Sequence, residues 1–283
     1  MKLKTLLSIP LILLVVNVFL SQNLPVPKTY DKPVLMHYMP WFETPEFNQK
    51  WGSHWTMNNQ NPDIIVDVVT GKRQIASHFY PLIGPYSSID PAVIEYHLLL
   101  MKYAGVDGVL IDWYGEKGSN GDINSLLTNS NALIDKTEAI GLDFAIILED
   151  RFSETIADVQ QNMSYMKNNY FNKSNYFRYG ASNKPLLGIF GPISFEQESD
   201  WDAIMPSAGE DLIFLPLWNQ LDELGIHGSG EYAWIYNDDT TNNFASLLDG
   251  FYRDTAPLLN TFMGVAYPGF KDFYEEGNSG EGF

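Results

Sequence analysis

Short, nearly uninterrupted apolar runs recur along this chain, and most are separated by stretches with helical spacing of apolar residues. Val34–Trp41 (VLMHYMPW) is the first run. Gly108–Trp113, Phe144–Leu148, Leu186–Phe190, Ile213–Trp218, Tyr232–Tyr236 and Thr261–Ala266 follow. Asp90-Pro91 predicts a helix start, with aspartate as N-cap and proline in the first turn, and that helix stops at Gly105. Further helices are expected near 123–140, 154–169, 196–204 and 242–259. Apolar strands joined by helices predict a parallel sheet buried on both faces. The expected fold is therefore α/β, of the (β/α)8 TIM-barrel type, apparently truncated after its seventh strand.

The first residues follow another pattern. Lys2 and Lys4 precede the apolar run Leu6–Leu20, which is short for a bilayer span and suits a signal peptide cut at Ser21-Gln22. An uncleaved membrane anchor is the alternative. The expected organisation is a signal peptide over 1–21, a Pro-rich lead-in over 22–32 and a single barrel domain over 33–283. The protein is expected to be exported, periplasmic or secreted, monomeric and without a stable membrane anchor. Zero cysteines exclude a thiol nucleophile and a zinc–thiolate site. A formal net charge of −18 argues against nucleic acid as a partner.

In a barrel, the C-terminal ends of the strands form the mouth of the active site. Asp112, Trp113 and Tyr114 stand at one such end, as do His37, Tyr38 and Trp41, Glu149, Asp150 and Arg151, Trp218 with Asn219, and Tyr267. His54 and Trp55 lie in the long loop after the first strand. Aromatic faces beside acids and amides suit a sugar, whose C–H face packs on the rings while its hydroxyls bond the polar groups. Asp112 and Glu149, on neighbouring strands, are the pair of carboxyls that a glycosidase would need. Each residue also has a structural alternative. Asp112 could bond loop amides, Glu149-Asp150-Arg151 could be an ion-pair cluster, His54 could be a packed loop residue, and the aromatics could be core. No HxH, HExxH or DxDxDG spacing is present, so neither a metal nor a cofactor is expected.

The motifs HYMPWF (37–42), WGSHW (51–55), YPLIGPYSSIDP (80–91), KYAGVDGVLIDWYG (102–115), ILEDR (147–151) and AYPGF (266–270) occur in an order that resembles bacterial members of glycoside hydrolase family 99. More broadly they resemble the combined 71/99-like group. The resemblance implies a (β/α)8 barrel and a retaining endo-α-mannosidase that works without a metal. It places Glu149 in the subsite where cleavage occurs, and Tyr38, His54 and Tyr267 at sugar-contacting positions. It also implies catalytic acids after an eighth strand, in a motif of the form Trp-Asn-(Glu/Asp)-x-Gly-Glu. That motif is not found; Gly280-Glu281-Gly282 imitates only its end. The catalytic pair is thus expected beyond residue 283, and poor hydrolysis is expected of this chain. Two alternatives stand: a different retaining glycosidase using Asp112 and Glu149, and a catalytically inactive carbohydrate-binding barrel.

Overall fold

The structure is a computed structural model and describes residues 27–29, 31–235, 244–266 and 273. The expected signal peptide and Tyr267 lie outside the described residues. Five parallel strands pair in chain order: β1 (Leu35–Tyr38), β2 (Gly108–Trp113), β3 (Asp143–Leu148), β4 (Lys184–Ile189) and β5 (Ile213–Leu215). β6 (Gly230–Tyr232) and β7 (Thr261–Met263) form a second parallel pair. A parallel bridge between Leu217 and Tyr232 stitches the two sheets together.

The wall curls. In a flat sheet β1 and β6 would stand five strand spacings apart, about 24 Å. Yet the ring of His37 on β1 lies 4.6 Å from that of Trp234, just past β6. The described strands therefore bend into a barrel arc whose inner faces meet.

The outer face packs on helices. Val109, Ile111 and Trp113 of β2 alternate with Phe144, Ile146 and Leu148 of β3 against Leu133, Val159, Met163 and Met166 in the main core. These four come from α2 (Ile123–Ile140) and α3 (Ile156–Asn169). α1 (Pro91–Tyr103) starts as its sequence predicts, with the Asp90 carboxylate accepting from Ala92 N–H. Thr155 and Asp158 cap α3 reciprocally, and Gly141 ends α2 in the left-handed region at φ 76°. α4 (Glu198–Ile204) and α5 (Phe244–Gly250) complete the set.

Several boundaries differ from those expected, for local reasons. β1 stops at Tyr38 because Pro40 offers no N–H, and its carbonyl instead accepts from the Asn129 side chain at 2.8 Å. β5 stops before Pro216. The sixth strand begins two residues earlier than the apolar run, at Gly230. A Cβ there would sit 1.6 Å from the Thr261 carbonyl oxygen, so only glycine admits β7 at this distance. β7 ends at Met263 instead of Ala266. The long loop between β1 and α1 carries two short helical turns, Pro45–Asn48 and Ser53–Thr56, and a hairpin of Ile65–Asp67 with Lys72–Arg73.

Candidate functional site

The two-residue period of the strands decides which side chains enter the barrel. On β2, Val109, Ile111 and Trp113 face the helices, so Leu110 and Asp112 face inward. Asp112 stands opposite Ile147 on β3, and Glu149 follows Ile147 by two residues on the same face. Glu149 N–H donates to Trp113 O at 3.0 Å, which extends the ladder and fixes the carboxyl beside Asp112. Both acids are buried, Asp112 at 2% exposure and Glu149 at 9%.

The two carboxyls line the same cavity and feel each other's charge. Burial first, then the charge and hydrogen bond of Glu149, push the Asp112 carboxyl well above the usual carboxylate range. Two like charges side by side in a buried site oppose each other, which favours protonation of the pair. Asp112 Oδ2 has no hydrogen-bond partner among the described residues. Below the pair, Gly188 of β4 turns inward with no side chain, and Ile147 and Tyr232 fill the space it leaves. The Tyr232 hydroxyl donates to Ile189 O at 3.1 Å, and burial together with the two carboxyls raises its pKa well above the ordinary phenol value.

Around this pair lies a cavity of about 530 Å³, within the range of small-ligand sites. One wall holds His37, Trp234 and Phe190, whose rings meet edge to face. Burial lowers the His37 pKa to about 3, so its imidazole is neutral. The outer wall holds Trp41 and His54, stacked 4.2 Å apart and within 5° of parallel. Burial lowers His54 to about 4 against the opposing pull of the Asp122 carboxylate. Ser53 Oγ donates to Asp122 Oδ2 at 3.1 Å, and Asp122 N–H donates to Asn120 Oδ1 at 2.7 Å.

Residues 115–122, which carry Asn120 and Asp122, are held to α3 by one buried side chain. Asn162 Oδ1 accepts from Glu116 N–H and Lys117 N–H at 2.8 Å each, while its Nδ2 donates to Lys117 O and Ser153 Oγ. A Cβ on Gly115, at φ 108°, would stand 2.5 Å from Asn162 Nδ2, and this accounts for the glycine that closes DWYG.

Six of the expected site residues meet at this cavity: Trp41, His54, Asp112, Tyr114, Glu149 and Arg151. Four others do not line it. Tyr38 points outward to α1, its hydroxyl 3.0 Å from His97 Nδ1. Trp55 is buried in the β1–α1 loop, donating its indole N–H to Tyr86 O at 3.0 Å. Trp113 stacks on Tyr165 of α3 in the core. Trp218 packs edge to face on Phe251. The strand period explains Tyr38 and Trp113: each neighbours an inward residue and so faces the opposite side. Of the cavity residues His37, Phe190, Trp234 and Asp122, sequence reasoning placed only His37 at the rim. The same period identifies the second and third of these, since Phe190 follows inward Gly188 by two, and Trp234 likewise follows Tyr232.

The acids separate in role. Asp150 is fully buried and accepts from the backbone N–H groups of Ile193, Ser194 and Phe195 at 2.8–3.1 Å. It ties the loop after β4 to the end of β3. Asp112 and Glu149 line the same cavity from neighbouring strands, as the two carboxyls of a retaining glycosidase do across about 5–5.5 Å. Among the described residues, no three His, Asp or Glu side chains are grouped to hold a metal.

Comparisons with known proteins agree with this architecture. The sequence profile of Glycosyl hydrolase family 99 matches residues 29–262. Rat glycoprotein endo-alpha-1,2-mannosidase is 29% identical over 227 residues, 73% of this chain and 48% of the rat protein. The Xenopus laevis enzyme of the same name is 26% identical over 173 residues, 58% of this chain and 37% of its own length. The chain thus spans about half or less of these curated relatives. Among solved structures, the GH99 endo-alpha-mannosidase of Bacteroides thetaiotaomicron superposes with a TM-score of 0.62 at 21% identity, over 85% of this chain and 73% of that one. A structure described as a glycoside hydrolase-like protein superposes with a TM-score of 0.53 at 10% identity, over 88% of this chain and 76% of that one. Those two likenesses speak to the barrel alone. The profile match extends over most of the chain, from ahead of β1 to within β7, and on that ground the chain belongs to glycosyl hydrolase family 99.

Proposed function

We propose that this chain is the sugar-binding barrel of an exported glycoside hydrolase of the endo-α-mannosidase type, engaging α-mannosides that include the α-1,2 linkage named for its relatives. The observation that carries this proposal is the cavity itself. It presents a buried pair of carboxyls between two aromatic walls, at the strand ends of a family 99 barrel. Neutral His37 and His54 add polar ring edges without charge, which suits an uncharged polyol. Calorimetric titration with α-1,2-mannobiose tests the proposal. Binding is expected, and Trp41→Ala is expected to weaken it. A chain that ignores α-mannosides but takes an α-glucan oligosaccharide would overturn the mannoside assignment.

A second possibility has its own support. The motif Trp-Asn-(Glu/Asp)-x-Gly-Glu, in which the family resemblance places the catalytic acids, is not found in the sequence. A chain that binds without cutting would return the glycan intact after prolonged incubation. Release of a disaccharide would instead support hydrolysis. Export is proposed from the Lys2/Lys4 and Leu6–Leu20 pattern, and a mature N-terminus at Gln22 is the expected result of N-terminal sequencing.

A further inference from the structure

The loop between β1 and α1 carries a run of exposed apolar side chains on the hairpin of Ile65–Asp67 with Lys72–Arg73. Val68 and Val69 at its tip are 87% and 91% exposed, and Ile64, Ile65 and Val66 are about half exposed or more. Successive strand residues point to opposite faces, so this strand shows water an apolar surface on both. Arg73 N–H donates to the Tyr80 hydroxyl at 3.0 Å, which holds the next loop, with its exposed Phe79 and Leu82, beside the second strand.

A lone two-stranded hairpin is marginal in water, yet this one is bolted at its root. The Trp51 indole N–H donates to Asp63 Oδ1 at 2.9 Å, and the Arg73 guanidinium lies 5.7 Å over the Trp51 ring. The same guanidinium donates to Pro62 O at 2.8 Å. The hairpin is thus an arm held in place with its apolar side chains in solvent.

We propose that this arm is the contact surface for a second copy of the chain, hairpin against hairpin about a two-fold axis, in place of the monomer expected from the sequence. The proposal stands whatever the cavity binds. Three observations select that occupant. The hairpin is a two-stranded sheet of its own, so Ile65–Asp67 keeps one edge open among the described residues. Antiparallel pairing with its own twin fills that edge and forms cross-strand pairs on both apolar faces at once. The exposed parts of the five hairpin side chains, with Phe79 and Leu82, bring roughly 800 Å² per copy, about what each partner of a stable interface buries. Lastly, residues 61–74 hold Asp63, Asp67, Lys72 and Arg73, so the arm is neutral in a chain of formal net charge −18. Two copies meet there without the repulsion that the net charge sets up.

A lipid surface suits the arm less well. Asp67 stands between Val66 and Val68, and the Thr70 hydroxyl, with the Val69 and Thr70 N–H groups, holds its carboxyl below the usual carboxylate range. Sinking the tip into hydrocarbon would bury that charge.

The absence of cysteine makes a cross-linking test clean. At least one of Ile64→Cys, Val66→Cys and Val68→Cys is expected to join two chains on mild oxidation, because equivalent residues meet across a two-fold axis. Tyr103→Cys, on an 88% exposed residue at the end of α1, is expected to stay a single chain. Sedimentation velocity across about 1–100 μM should show the wild type rise from the mass of one chain to that of two. Val68→Lys should remain at one chain throughout, with a melting curve at the lowest concentration that matches the wild type. A wild type that stays single at every concentration would overturn the pairing, as would a larger mass that Val68→Lys leaves unchanged. Cross-linking no faster at the hairpin than at residue 103 would overturn it too. Flotation of a single-chain wild type with phosphatidylcholine vesicles, lost in Val68→Lys, would instead assign the arm to lipid.

Discussion

Asn162→Ala should unfold this protein earlier and blunt its cavity together, because one side chain carries both tasks. The amide makes four hydrogen bonds, two from Glu116 and Lys117 N–H and two to Lys117 O and Ser153 Oγ. At about 0.5–1.5 kcal/mol net for each bond, the set is worth about 2–6 kcal/mol. Glu116 and Lys117 are partly to fully exposed, so water recovers part of their share. The Ser153 hydroxyl is buried and recovers little, and the space under Gly115 is left open. A loss of about 3 kcal/mol follows, which for a chain of this size lowers the melting temperature by about 6–12 °C. Circular dichroism melts and urea titration measure it. Asn162→Asp separates the two halves of the bonding, since it keeps acceptors for the backbone N–H groups but loses both donors and buries a charge. It should be no more stable than the alanine variant. Because residues 115–122 bring Asn120 and Asp122 to the cavity, mannobiose affinity should fall several-fold in both. A loss below about 1 kcal/mol with unchanged affinity would refute the claim that Asn162 holds this loop.

Gly188→Ala should cost about 1–3 kcal/mol, since its Cβ would lie 2.3 Å from Ile147 Cδ1 in a filled interior; urea midpoints check it. Tyr38→Phe should cost about 1 kcal/mol and leave sugar binding unchanged, whereas His37→Ala should weaken binding about tenfold or more, because only His37 faces the cavity. Calorimetry on the two variants decides between these faces. For His54 the folded pKa of about 4 lies below the ordinary value of 6.5, so the unfolded chain binds the extra proton between these limits. Its contribution is fully present above pH 6.5 and is lost as pH falls, by about 2 kcal/mol at pH 5. Comparing urea midpoints of the wild type and His54→Gln at pH 7 and pH 5 isolates that slope from the carboxyls, and an identical slope in both would contradict it.

Much of the barrel was legible because its strands are apolar on both faces. VLIDW and FAIIL admit no other use in a chain of this length, and DP at 90–91 marks a helix start by covalent chemistry alone. What stayed hidden depended on tertiary approach. Gly230-Glu231 has poor strand propensity, yet it pairs because the missing Cβ lets Thr261 come close. The inner and outer faces of HYMPW and IDWYG were blurred by the same evenness that revealed them, as no polar alternation distinguishes Tyr38 from His37 or Trp113 from Asp112. Asp122 reaches the cavity only through the turn that Asn162 and Gly115 fix, and no local pattern states that. The acids were legible as a pair on neighbouring strands, whereas their shared burial depends on the register between the two.

The inward-facing glycine of β4 has a consequence for time rather than for structure. Ile147 and Tyr232 pack into the space beside Gly188, so that side of the carboxyl pair is apolar wall and not cavity. Proton exchange at the pair is then expected through the cavity, the mouth that a glycan would occupy. Once that mouth is filled, the protonation state present at arrival is trapped until departure. A trapped state makes the association rate follow pH, while the dissociation rate stays nearly blind to it.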